Sequence, residues 1–327
     1  MFISRTPLRI SIGGGGTDLP SYYREHGGFV ISAAINKYSY VCANHSFAPG
    51  YILKYSEYEK VPTRDAIRHR LIREVVEMLD IESPIEIVSI ADVPAGTGLG
   101  SSGTFLVGLI HVLHAYKRHT VSPEALAQEA VEIEMNRLKE PVGKQDQYIA
   151  AYGGILCQEY HKDDAVSLSS LKMSESSIQD FRNSLMLFYV GTTRDASSIL
   201  IDQKLKSESG DRNMLEGLHF AKQLGYEIQS TLEAGDILRY GTLMHEHWLR
   251  KRGRSKGMTN NRIDELYELG RNIGGATGGK LVGAGGSGFL LFQTTDRSRL
   301  RRVMHEAGTT EMDFAFDFDG SIIVSRN

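Results

Sequence analysis

Cysteine is scarce in this chain: two in 327 residues, Cys42 and Cys157, far apart and without metal-ligand spacing. A disulfide framework and a cysteine metal site are thereby excluded, and both are expected as reduced thiols of an intracellular protein. Long apolar runs are missing too. None reaches 18 residues, and the start, Met1-Phe2-Ile3-Ser4-Arg5, has no signal-peptide core, so neither a membrane helix nor a secretory leader is expected, and the cytoplasm is. Positive charge is not in excess: the formal net charge of −3 argues against a general nucleic-acid binder. Repeats and low-complexity tracts are lacking. What is there, 41% hydrophobic and 24% charged residues, predicts a soluble chain with one large or two moderate domains.

The stretch that organises the rest is Pro94 to Phe105, PAGTGLGSSGTF. Before it, Ile85 to Ile90 is short, β-branched and bounded by Pro84 and Pro94, the pattern of a buried strand. After it, Phe105, Leu106, Leu109, Ile110 and Leu113 recur at helical spacing. A helix opening on glycines and serines offers free N–H groups and a positive dipole end to one point, which suits a phosphate. A dinucleotide loop would need an acid at the end of the next strand, roughly 20 residues on. The first acid, Glu124, instead opens a helix behind Ser122-Pro123. A Walker A loop fails because no Lys follows these glycines, and Gly274 to Lys280 ends in Leu281 where Ser or Thr is required. A glycine turn used only for tight packing stays open, as does ordinary capping by Ser101 and Ser102.

Along the chain, Ile3 to Ile12 predicts a strand running into Gly13-Gly14-Gly15-Gly16-Thr17-Asp18, where backbone must approach something closely. Thr17 and Asp18 either cap the helix beginning at Leu19 or, for Asp18, accept hydrogen bonds from a polyol. Further strands are expected over Val30 to Asn44, Tyr51 to Tyr55, Ile155 to Tyr160 and Leu185 to Val190, with a helix over Arg64 to Leu79. The helix from Ser122 to about Lys139 carries Glu134 on its apolar stripe with Ala127, Ala130, Val131 and Leu138. Such a carboxylate needs an ion pair or a cation such as magnesium. Asp146, in Gly143-Lys144-Gln145-Asp146-Gln147, is a helix cap or, if the fold brings it to the glycine loop, a general base. Helices are expected over Met214 to Glu233, Asp236 to about Lys251 and Asn261 to Asn272, then a strand, glycine turn and strand over Lys280 to Phe292. Asp296 caps a helix ending near Gly308, and Phe314, Phe316 and Phe318 alternate on a strand before an Asp319-Gly320 hairpin turn. This second part is α+β of the split βαβ type. Arg250-Lys251-Arg252-Gly253-Arg254-Ser255-Lys256 puts five cations in seven residues. It is a solvated charge run or a pocket for an anionic substrate. The polar stretch Lys204 to Arg212 permits mobility.

Three of these segments together resemble the GHMP kinases, the superfamily of galactokinase, homoserine kinase, mevalonate kinase and phosphomevalonate kinase, over the whole chain. Pro7-Leu8-Arg9 through Asp18 matches the first family motif, Pro94 to Ser102 matches P-x-G-x-G-L-G-S-S in every specified position, and Val282 to Gly288 matches the third. The resemblance implies a two-lobed α+β fold with the active site between the lobes: an ATP-binding N-terminal domain over 1–170 and a ferredoxin-like C-terminal domain over 171–327. It implies ATP on Pro94, Gly96, Gly98, Leu99, Gly100, Ser101, Ser102 and Gly103, Mg2+ on Ser102 and Glu134, and catalysis by Asp146 as base with Arg9 beside it. The sugar is expected on Gly15, Gly16, Thr17 and Asp18, with Gly285 and Gly286 shaping the cleft. Where galactokinases carry Glu-His-Thr-Asp, this chain has Gly15-Gly16-Thr17-Asp18. That departure, His245-Glu246-His247-Trp248 and the basic run look like the heptose 7-phosphate kinase branch, whose substrate phosphate implies cations such as Arg250, Lys251, Arg254 and Lys256. Its product would be the 1,7-bisphosphate, on the route to nucleotide-activated heptose for bacterial surface glycans. A fucokinase-like 1-kinase for an unphosphorylated sugar and a non-catalytic sugar and ATP sensor are the rivals. The partners expected are a phosphosugar and ATP, not nucleic acid or membrane, with association, if any, as a homodimer.

Overall fold

The computed structural model describes residues 1–191, 197–255 and 257–326. The first half comprises β1 (Phe2–Gly13), α1 (Pro20–His26), β2 (Gly28–His45), β3 (Tyr51–Lys54), β4 (Tyr58–Val61), α2 (Arg70–Met78), β5 (Ile85–Ala91) and α3 (Ser101–Tyr116). It continues with α4 (Pro123–Val131), α5 (Gln145–Tyr152), β6 (Ile155–Tyr160) and β7 (Val166–Ser170). The second half begins with α6 (Glu175–Ser184), β8 (Leu185–Tyr189), α7 (Ser197–Glu208), α8 (Arg212–Glu233), α9 (Ile237–Lys251) and α10 (Asn261–Asn272). It ends with β9 (Ala276–Leu281), β10 (Phe289–Thr294), α11 (Arg297–Glu306), β11 (Thr310–Met312) and β12 (Ile322–Ser325).

Two sheets result. The first runs β12-β1-β2-β5-β3-β4, with β6 and β7 beside β2. Because β2 is 18 residues long, one edge serves two partners in succession, β6 along Gly28 to Ala33 and β5 along Ser39 to His45, while β1 follows the other edge. The second sheet, β11-β8-β10-β9, is antiparallel throughout. Its connections read strand, helices, strand, strand, helix, strand, which is the expected split βαβ arrangement and confirms the α+β class. α3 packs on β1 and β2 and against α4 and α5. It is therefore buried almost all round, Leu106, Val107, Leu109, Ile110 and Leu113 completely, and truncating one such leucine to alanine costs about 2–5 kcal/mol. Side-chain caps set several helix starts where the sequence suggested them: Ser122 for α4, Asp236 for α9, Asn260 for α10 and Asp296 for α11.

Four local expectations are corrected. The helix over Arg64 to Leu79 is interrupted, because the Glu59 carboxylate accepts the N–H groups of Arg68 (2.7 Å) and His69 (3.1 Å) and takes them out of the ladder. The strand at Ile85 to Ile90 is not buried throughout, since Ile90 is 61% exposed. Phe314, Phe316 and Phe318 do not alternate on a strand: only an Ile35↔Phe316 bridge forms, and Asp317 accepts the N–H groups of Asp319 and Gly320. Asp319-Gly320 then leads not into a hairpin but into β12, which pairs antiparallel with β1 in the other sheet. Most of Lys204 to Arg212 is helical, at the end of α7, and Asp211 caps α8. Among the described residues no helix is long and apolar enough to cross a membrane.

Candidate active site

β5 delivers the chain into the Pro94–Gly103 turn, where Gly96, Gly98 and Gly100 hold φ of 76°, 80° and 78°. Those values favour glycine, and space requires it as well. A Cβ on Gly100 would stand 3.2 Å from the Asp146 carboxylate, one on Gly103 2.9 Å from the Asp146 Cβ, and one on Gly98 2.6 Å from the Val282 carbonyl oxygen. The turn thus lets α5 and the second sheet's glycine turn come close to the start of α3. Gly100 is the N-cap of α3 and no side chain caps that helix, so the capping reading of the serines fails and its first N–H groups remain without a side-chain partner. Ser102 Oγ donates to Glu134 Oε1 instead. Ser101 Oγ is buried without a partner among the described residues. Leu99 is buried, and its carbonyl accepts the Arg9 N–H at 3.0 Å.

Glu134 reaches Ser102 from a part of the chain that the sequence read as continuous α-helix. From Glu132 to Arg137 the helix is π-helical, and such one-turn insertions recur at functional sites. Glu134 is 2% exposed and its other oxygen accepts from Gln147 Nε2. Burial pushes its carboxyl up to about 7, against the two hydrogen bonds. No Arg or Lys is paired with it among the described residues, so the ion-pair reading fails.

Asp146 sits in the first turn of α5, where Arg9 clamps it with both arms: Nε to Oδ1 at 2.7 Å and Nη2 to Oδ2 at 2.9 Å. The third arm, Nη1, donates to the Gly98 carbonyl at 2.6 Å. The Asp146 side chain keeps 29% exposure toward the cleft, whereas that of Arg9 keeps 8%. Opposite, Asp18 accepts the Gln145 N–H at 3.2 Å. Burial first and Asp146 second raise its carboxyl to about 6. Neither Asp18 nor Thr17 caps α1, whose N-cap is Leu19. Thr17 lies wholly buried behind the wall, bonded to the backbone of Gly14 and Phe29, and Gly14 is the glycine that approaches Phe29 closely.

These groups line one cleft of about 1050 Å3 that runs between the two sheets. At the glycine-turn end stand Tyr55, His69 and Phe105, aromatic rings in succession with centroids 4.6 and 5.4 Å apart. This wall leaves no signal in the sequence, because the three residues lie far apart along the chain. At the far end Gly15 and Gly16 meet Gln203, His247, Lys251 and Arg254. Of the basic run, Lys251 and Arg254 therefore face the cleft. Arg250 does not: it is exposed and stacks on Phe220 at 5.3 Å. Lys256 lies outside the described residues. Gly285 and Gly286 turn away and pack on Met258, leaving Gly283 and Ala284 to line the cleft. Lys280, which the sequence reading passed over, is a buried neighbour that donates to the Ile12 carbonyl at 3.1 Å.

Two family models match the chain, the GHMP kinases N-terminal domain over residues 67–154 and the GHMP kinases C-terminal domain over 228–310. A D-glycero-α-D-manno-heptose 7-phosphate kinase of Campylobacter jejuni is 27% identical, covering 97% of each chain. An L-fucokinase/L-fucose-1-P guanylyltransferase of Bacteroides fragilis is 22% identical over 92% of this chain and 36% of its own. The crystal structure of a D-glycero-D-manno-heptose 1-phosphate kinase from Bacteroides thetaiotaomicron superposes with a TM-score of 0.82 at 24% identity, covering 99% of both chains. A phosphate-suited helix start, a clamped aspartate and a serine–glutamate pair meet in a cleft between sheets whose two halves both match, and on that ground the chain belongs to the GHMP kinases, as an ATP-dependent sugar kinase of that family.

Proposed function

We propose that the chain transfers the γ-phosphoryl group of ATP to the anomeric C1 hydroxyl of D-glycero-D-manno-heptose 7-phosphate, giving the 1,7-bisphosphate for nucleotide-activated heptose and surface glycans. The observation that carries this is the Arg9–Asp146 clamp beside the glycine turn: a carboxylate fixed in direction, still open to the cleft, and packed against Gly100 at the start of α3. The sugar is supported by the Campylobacter jejuni relative. The division at residue 170 is proposed with it, between β7 and α6.

In this reading the N–H groups from Gly96 to Ser102 receive the nucleotide's phosphates, and the wall of Tyr55, His69 and Phe105 suits a flat purine. Ser102 and Glu134 offer a hydroxyl and a carboxylate converging on one point, a hard oxygen pair that fits Mg2+. When bound there, the ion neutralises charge on the transferred group. Asp146 takes the proton from the C1 hydroxyl. Arg9 holds the carboxylate's orientation and adds positive charge beside the developing one. Asp18 accepts from sugar hydroxyls at the wall formed by Gly15 and Gly16. With its pKa raised, Asp18 is a carboxyl poorly suited to stay charged without a ligand.

The test is ADP release with Mg2+ across D-glycero-D-manno-heptose 7-phosphate, mannose 6-phosphate, fucose, galactose and mevalonate, with 31P NMR locating the new ester. Turnover confined to the heptose phosphate, with phosphate at C1, is expected. Turnover with free fucose would replace the substrate and keep the mechanism; silence across the panel would favour the non-catalytic sensor.

A further inference from the structure

At the end of the cleft away from the glycine turn, the fold buries positive charge with no counter-charge to match it among the described residues. Arg254 is 8% exposed, yet among the described residues its guanidinium finds only the Gly15 carbonyl at 3.3 Å and His247 Nε2 at 3.4 Å, and its Nε is without a partner there. His247 is 1% exposed, and its Nδ1 likewise has none among the described residues. Lys251, also buried, donates to the Leu281 and Gly283 carbonyls, which leaves its third proton uncommitted. Among the described residues no carboxylate stands near enough to offset any of the three. A buried cation without a counter-charge is costly. These three residues, together with Gln203, line the cleft. Gln203 Nε2 donates to the Gly16 carbonyl at 3.0 Å, which ties α7 to the wall that Arg254 also grips.

We propose that Arg254, His247 and Lys251 form the subsite for the terminal phosphomonoester of the acceptor sugar. The inference rests on the proposed function and assigns its substrate phosphate to particular residues. Three donors from α9 and the turn after it, each with an unused N–H or ring nitrogen, suit the several oxygens of a dianion better than the two of a carboxylate. The nucleotide's phosphates are provided for elsewhere, at the start of α3, whereas Arg254 is bonded to Gly15, beside the Gly16–Asp18 wall assigned to the sugar. Gly217 of α8 admits the Arg254 stem, since a Cβ there would lie 3.3 Å from its Cγ. Burial lowers the guanidinium to about 10, and burial first and Arg254 second lower Lys251 to about 7. A bound dianion reverses both shifts. The basic run is thus divided: Arg250 is a surface cation, and Lys251 and Arg254 are the site.

The measurement compares kcat/KM for D-glycero-D-manno-heptose 7-phosphate and for the same heptose without its phosphate, in wild type and Arg254→Gln. Wild type is expected to prefer the phosphorylated sugar, and the preference ratio is expected to collapse by roughly 100-fold in the variant. An unchanged ratio in a folded variant overturns the subsite while leaving the function intact; no preference in wild type overturns the function itself. Should Arg254→Gln not fold, inhibition of wild type by inorganic phosphate decides. Competition against heptose 7-phosphate and not against ATP is expected, and competition against ATP alone overturns the subsite.

Discussion

Asp146 has two neighbours that want opposite things from it. Arg9 grips it through two short hydrogen bonds, and Asp18, across Gln145, is raised partly by its charge. Replacing Asp146 by Asn keeps the shape and removes the proton acceptor. Single-turnover kinetics of Asp146→Asn should show phosphoryl transfer slowed by roughly 10²- to 10⁴-fold with ATP affinity nearly intact; wild-type turnover would remove it as base. Asp18 allows a test that needs no substrate. Its folded pKa of about 6 lies above the ordinary 3.8, so between those values the folded state holds the proton that the unfolded chain has lost. Stability from this group is therefore present below about pH 4 and falls as pH rises through 6. Asp18→Asn escapes that loss, since the amide oxygen can still accept the Gln145 N–H. Thermal melts should show the variant gaining on wild type between pH 4 and pH 7, with the gap closing at pH 4; a constant gap would mean that Asp18 is not desolvated.

At the scale of elements, the parts legible in the sequence were those whose reasons are local. The glycine turn, the strand before it and α3 after it were readable because the φ values, the caps and the apolar period belong to neighbouring residues. So were α8, α9, α10 and the glycine turn from Val282 to Gly288. What stayed hidden depended on partners far along the chain. β12 is four residues that make sense only against β1, and α2 begins late because Glu59, ten positions earlier, takes two N–H groups. The π-helical turn that aims Glu134 at Ser102 leaves no mark in the pattern, since an apolar stripe at period 3.6 reads the same on either side of it. In the site, the pattern found Arg9, Glu134 and Asp146 through the motifs they stand in. It could not separate Arg254 from Arg250, because which cation of a run turns inward is decided by what packs on the helix. The two glycine turns offer an element-scale test. Gly283 has φ of 80°, and a Cβ there would sit 2.5 Å from Gly98 Cα. Gly283→Ala should cost about 1–3 kcal/mol in denaturant melts and raise the KM for ATP by pushing the phosphate turn aside. An unaltered KM would separate the two turns.

For the molecule as a whole, the two sheets share one buried core, in which Leu8, Ile10 and Ile31 of the first pack with Leu185, Leu187 and Leu291 of the second, and the cleft opens beside it. The aromatic wall is built by the first half, from β3 to α5, and the buried cations of the cleft's far end by the second, on and just after α9. Arg9 is buried in β1 and lies within electrostatic range of Lys251 of α9 and Lys280 of β9, so the charge balance of the site is shared between the halves.

The pairing of β12 with β1 gives this sharing an order in time. During synthesis β1 emerges first, pairs with β2 along one edge and leaves its other edge bare until the second half and then residues 322–325 have been made. An exposed strand edge is the feature on which nascent chains cross-pair. The edge of β1 is therefore closed by a segment that the strands of the second sheet must precede, so the first sheet is completed only after the second has been made.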